Sequence, residues 1–107
     1  MATKLYQLIT AIDSKEQAIK IARTLIREKL ASCIQILGPV NSIYRWKGQI
    51  EEANEFLLLM KTTSNCYKKL EKRIKQMHPY ELPEIMALES VDFLEEFGKW
   101  IIENTEN

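Results

Sequence analysis

Histidine occurs once in this 107-residue chain, within the run His78-Pro79-Tyr80-Glu81-Leu82-Pro83-Glu84. Imidazole is a ligand for copper and zinc, so His78 reads as a metal ligand or a polar pocket residue. The competing role is structural. A histidine at a helix C-terminus complements the helix dipole, and Pro79 is a helix stop. Glu81 and Glu84 flank Leu82-Pro83. Paired carboxylates can move protons. Here the expectation is that they accept backbone amides or pair with lysine across a subunit boundary. Tyr80, with Tyr44, Trp46 and Lys47 from further up the chain, could line a cleft between subunits. As plain interface aromatics these side chains would need no ligand.

Sulfur offers a second donor type. Cys33 sits among Ile34 and Ile36, where a cysteine usually serves as a small hydrophobe. As a thiolate it would be a soft copper ligand. Cys66 precedes a helix and reads as a partly exposed, incidental thiol. The two are not in a CxxC arrangement and are too few for a secreted disulfide scaffold. Catalysis finds little support. The chain has no Gly-rich phosphate loop, no GxSxG and no HExxH. A Cys33–His78 nucleophile pair exists on paper only, and the expectation is that this is not an enzyme.

The elements that must position these groups follow from pattern. Leu5–Thr10 has strand composition. Asp13 or Ser14, followed three residues on by Glu16 or Gln17, can form a capping box. Ala18, Ile21, Ala22, Leu25 and Ile26 then recur at helical spacing to about Leu30. Cys33–Leu37 is a strand interrupted at Gly38-Pro39 by a bulge or bend. Asn41–Trp46 resumes it, Lys47-Gly48 is a hairpin tip, and Gln49–Thr62 returns. Phe56–Met60 is apolar at every position, as in a strand covered on both faces. Ser64 can cap a second helix, with Tyr67, Leu70, Ile74 and Met77 inward. Ile85–Leu88 is a last strand. Asp92–Glu95 opens a third helix, with Leu94, Phe97 and Ile101 as its apolar stripe. The order predicts an α+β fold, a ferredoxin-like βαββαβ with a long central hairpin and an added C-terminal helix, in one domain over 1–107.

The hairpin is too long for such a domain. A compact chain of this length has a diameter of roughly 35 Å. Two arms of about 14 residues span roughly 45 Å. The overhang carries Ile43, Tyr44, Trp46 and Ile50, an aggregation edge unless another copy covers it. The alternative is a hairpin that bends at Gly38-Pro39 and folds back.

Lysine plus arginine equals aspartate plus glutamate at 15 each, with the signs interleaved. A nucleic-acid binder needs a surplus of cations, so that class is set aside. No apolar run approaches the roughly 20 residues that span a bilayer, and the N-terminal run is too short and polar for a signal peptide. A cytoplasmic protein with no membrane partner is expected.

Three stretches carry a family resemblance: Ala31–Ile36, Ser42–Gly48 and His78–Leu88. With the helix positions and Trp100, they resemble the CutA family along essentially the whole chain. Gln35 and Arg45 depart from the family pattern, which usually has asparagine and an aromatic there. The resemblance implies a homotrimer, similar in architecture to the PII signalling proteins and linked to divalent-cation tolerance. It implies copper or another divalent cation as the bound species, with His78 and Cys33 as ligands. The alternative function is a non-catalytic, PII-like small-ligand sensor using Tyr44, Trp46, Lys47, Tyr80 and Glu81.

Overall fold

A computed structural model describes residues 3–106. Its elements are β1 (Leu5–Ile12), α1 (Lys15–Arg27), β2 (Cys33–Trp46), β3 (Gln49–Thr63), α2 (Tyr67–Met77), β4 (Met86–Glu89) and α3 (Glu95–Glu103). The four strands form one antiparallel sheet in the order β2-β3-β1-β4. Strands β1 and β2 therefore run parallel with β3 between them, and β3 and β4 run parallel about β1. This is the split βαβ arrangement that the order of elements predicts.

Helices α1 and α2 cover one sheet face. Leu8 and Ile12 of β1, Leu25 of α1, Leu58 of β3, and Leu70 and Ile74 of α2 meet in a single buried cluster. Each such side chain contributes about 1.5–3 kcal/mol by leaving water. Ser14 starts α1, its hydroxyl accepting from the Gln17 amide at 3.2 Å. The helix stops at Arg27, short of Leu30, because Lys29 turns left-handed (φ 59°). The Lys29 amide then donates to the Ile26 carbonyl and the Leu30 amide to that of Leu25, the paired bonds of a Schellman ending. Arg73 of α2 grips Glu28 with two nitrogens at 2.9 and 3.0 Å, which holds the Glu28 carboxyl below its ordinary range.

Strands β2 and β3 stay paired out to Trp46 and Gln49, but β1 reaches along β3 only from Thr63 to Phe56. Val40–Glu55 is therefore a two-stranded ribbon that overhangs the sheet, and the longest molecular dimension is 44 Å. One extra residue enters β2 between Leu37 and Val40. Gly38 (φ 150°) sits there because a Cβ would lie 2.7 Å from the Phe56 ring and 2.9 Å from the Glu55 carbonyl. The interruption expected at Gly38-Pro39 is thus a bulge inside a continuous strand, and pairing persists beyond it. The tip uses two left-handed residues, Lys47 (φ 51°) and Gly48 (φ 81°), as a two-residue turn requires.

Four local expectations are corrected. Ser64 does not cap α2; its hydroxyl accepts from the Lys4 amide, and α2 starts after Cys66 without a side-chain cap. Cys66 is fully buried, not partly exposed, with its thiol against the Glu106 carbonyl. Helix α3 begins at Glu95 after Leu94, so the box at Asp92 is not used. Its inward face is Gly98 and Ile101, with Gly98 beside the Phe93 ring and Leu5, while Leu94 and Phe97 are exposed.

Candidate functional site

The bend after α2 sets up the site. His78 ends the helix, its amide donating to the Ile74 carbonyl, and its ring turns back under β1. Nε2 lies 2.8 Å from the Ala11 carbonyl, and Nδ1 accepts from the Tyr80 amide at 3.2 Å. A carbonyl on one side and an N–H on the other select the tautomer protonated at Nε2. The ring is only 7% exposed. Both nitrogens are thus committed to backbone, and the imidazole fastens the 78–80 bend to β1.

Tyr80 is the next link. Its ring stands edge-on to His78 with centroids 4.6 Å apart, and its hydroxyl donates to Glu55 Oε2 at 2.9 Å. Burial first, then the bond to Glu55 and its charge, raise the Tyr80 phenol far above its ordinary value. It stays a donor. Glu55 is the last residue of the overhanging ribbon before the sheet and only 8% exposed.

These contacts frame a groove of about 860 Å³ between the ribbon and the bend after α2. Tyr44 and Trp46 enter from β2, Tyr80 and Glu81 from the bend, and Asp13 from the end of β1. Four of the five cleft residues expected from the sequence therefore line one concavity. Lys47 stands outside it, its ammonium 5.6 Å from the centre of the Trp46 ring. Glu55, Asp13 and Ser42 are groove residues that sequence reasoning did not assign to a cleft, and Arg45, marked there only as a departure from the family pattern, lines it too. Glu55 ends the mostly polar stretch Glu51–Glu55 just before Phe56, and only its position at that boundary could have marked it.

Cys33 lies elsewhere. It opens β2 opposite Lys61, whereas Ala11, the partner of His78, pairs with Leu57. Four residues along β3 separate the two sites, about 13 Å. Among the described residues no three His, Cys, Asp or Glu side chains converge as a metal cage. With both His78 nitrogens spent on backbone, Cys33 and His78 do not fit a shared copper site within one chain.

The sheet face away from α1 and α2 carries Ile9, Leu57, Leu59, Leu37, Met86 and Leu88, which register places side by side. Met86 and Leu88 are 55% and 52% exposed.

A ferredoxin-like α+β chain with an overhanging ribbon, a groove at its base and an apolar outer sheet face is the class these features define. The profile of the family described as CutA1 divalent ion tolerance protein matches residues 6–104. The divalent-cation tolerance protein CutA of Thermus thermophilus is 43% identical over 98 residues, 92% of this chain and 95% of that one. A solved structure of the T. thermophilus divalent cation tolerance protein superposes with a TM-score of 0.92 at 40% identity, covering 98% of this chain and all of that one. The structure described as the periplasmic divalent cation tolerance protein CutA of Archaeoglobus fulgidus gives 0.92 at 36% identity, covering 95% and 99%. The chain belongs to the CutA1 divalent ion tolerance family. That family and these relatives are named for tolerance and not for a catalysed reaction. No helix among the described residues is long and apolar enough to cross a membrane.

Proposed function

We propose that the protein serves divalent-cation tolerance as a non-enzymatic homotrimer in the cytoplasm, and that assembly completes its working surface. The observation that carries this reading is the apolar sheet face ending in Met86 and Leu88, together with the ribbon that overhangs it. Both stand largely exposed among the described residues of the single chain. A ring of head-to-tail contacts lets each ribbon dock on the next copy and close. In this reading copper or another divalent cation meets the protein through Cys33, the half-buried soft donor, while His78 supplies the frame of the groove. Sedimentation over a dilution series tests the assembly: a species of three chains should persist to the micromolar range. A folded monomer at that concentration would end the proposal.

A second reading is favoured by the groove. Its volume falls within the roughly 300–1,000 Å³ of small-molecule sites, and its walls combine aromatics with a few polar groups. We assign it to a small ligand, which makes the trimer a sensor as well as a tolerance protein.

A further inference from the structure

The charges around the groove are lopsided. Asp13, Glu55, Glu81 and Glu84 line it against a single cation, Arg45. The Arg45 guanidinium is drawn toward the hairpin tip, where Nη1 donates to the Gly48 carbonyl at 3.4 Å. The chain as a whole is neutral, so this excess of carboxylates is local to the groove. Glu55 lies deepest, more than nine-tenths buried, with Oε2 bound to the Tyr80 hydroxyl. Its carboxylate is therefore held in place, a second oxygen remains to accept, and no lysine or arginine forms an ion pair with it among the described residues. The indole of Trp46 and the phenol of Tyr44 stand on the same groove. The Trp46 face already attracts one ammonium, that of Lys47.

We propose that this groove binds a small organic cation, a primary ammonium or guanidinium on a short carbon stem. Glu55 is its counter-charge and the Trp46 and Tyr44 rings are its walls. The inference rests on the groove's being the small-ligand site. Aromatic faces attract such cations through their quadrupole, and a buried carboxylate gives them a charge-assisted bond. An anion would have to enter against four carboxylates. A bare divalent metal ion would need several donors converging at short range, and the described residues form no such cluster.

The test uses the intact protein, with assembly checked by sedimentation on the same samples. Calorimetric titration with 1,4-diaminobutane should show saturable binding that weakens with added salt. Succinate, of the same length but opposite charge, should show none. Glu55→Gln keeps an acceptor for Tyr80 and removes the charge, and should weaken diamine binding on the order of tenfold or more. Glu71→Gln on α2, outside the groove, should leave it unchanged. With Trp100→Phe leaving Trp46 as the sole indole, the diamine should also change the remaining fluorescence. Magnesium chloride should fail to displace the diamine beyond what sodium chloride of equal ionic strength achieves. An assembled protein that binds no diamine has a groove that is empty or filled by a neighbouring copy, and overturns the proposal. Equal binding of succinate, or unchanged affinity in Glu55→Gln, overturns it as well. Dissociation of the wild type on dilution would instead count against the trimer, and it would be read in the sedimentation alone.

Discussion

A phenol fixed between two strands shows how residue types become a site. Tyr80 is carried by a bend that His78 fastens to Ala11, and it reaches Glu55 on another strand. Its raised pKa has a consequence at high pH. The folded chain holds the phenolic proton above the unfolded value of about 10. The contribution is therefore fully present below pH 10 and is lost as pH rises through the folded value. Tyr80→Phe should flatten that part of the alkaline limb, read as urea midpoints of wild type and variant between pH 8 and 12. Equal slopes would mean that the Tyr80 phenol is not held buried against Glu55 in solution. Residue types offered Tyr44, Trp46, Lys47 and Tyr80 as cleft residues or as plain interface aromatics, and the family resemblance added Glu81; the groove takes in all but Lys47. Residue types could not mark the role of His78. Whether an imidazole meets a metal or two backbone groups depends on Ala11, 67 positions away in sequence.

At the scale of elements, periodicity located every strand and helix, and failed at ends where side chains found partners far along the chain. Ser64 has the chemistry of a cap but binds the Lys4 amide, which only the pairing of β1 with β3 brings near. The stripe of α3 shifted to Gly98 and Ile101 because the helix packs against the Phe93 ring and Leu5, where a Cβ on Gly98 would lie 2.5 Å from that ring. Gly38 makes the opposite case, since glycine and proline inside an apolar strand announced an interruption there, a bulge or a bend, and the structure has the bulge. Gly38→Ala should cost about 2–4 kcal/mol. A Cβ there meets the Phe56 ring and the Glu55 carbonyl in a backbone conformation that L-residues rarely adopt. Chemical denaturation measures it. A loss below about 0.5 kcal/mol would show that the ribbon can shift to absorb the methyl group. Glu55 lies at this bulge, so the same variant should weaken diamine binding in the groove.

For the molecule as a whole, length and pattern pointed to a ribbon and a sheet face that a single chain leaves exposed. The apolar run Phe56–Met60 called for cover on both faces, yet α1 and α2 bury only Leu58 and Met60, leaving Leu57 and Leu59 half-exposed. The 44 Å dimension likewise records a ribbon that leaves its own sheet. What the sequence pattern could not supply is the number of copies, since an uncovered face states a need and not a symmetry. Leu88 puts this to a direct test. It is half-exposed on β4, pairs with Gln7 on the outer face, and takes no part in the buried cluster beneath α1 and α2. Leu88→Glu should therefore leave the fold of the single chain intact and cost little as a surface change in a monomer. In an assembly that buries this face, the same change places a carboxylate in an apolar interface without a partner, a cost of several kcal/mol at each contact. An obligate interface of more than roughly 2,000 Å² would have to be broken or rearranged to admit it. The expected outcome is a chain with unchanged far-ultraviolet circular dichroism that sediments as a monomer, or as a species that dissociates on dilution where the wild type does not. A Leu88→Glu variant that keeps the wild-type oligomer and its thermal stability would place the outer face in water and return the ribbon alone as the assembling element.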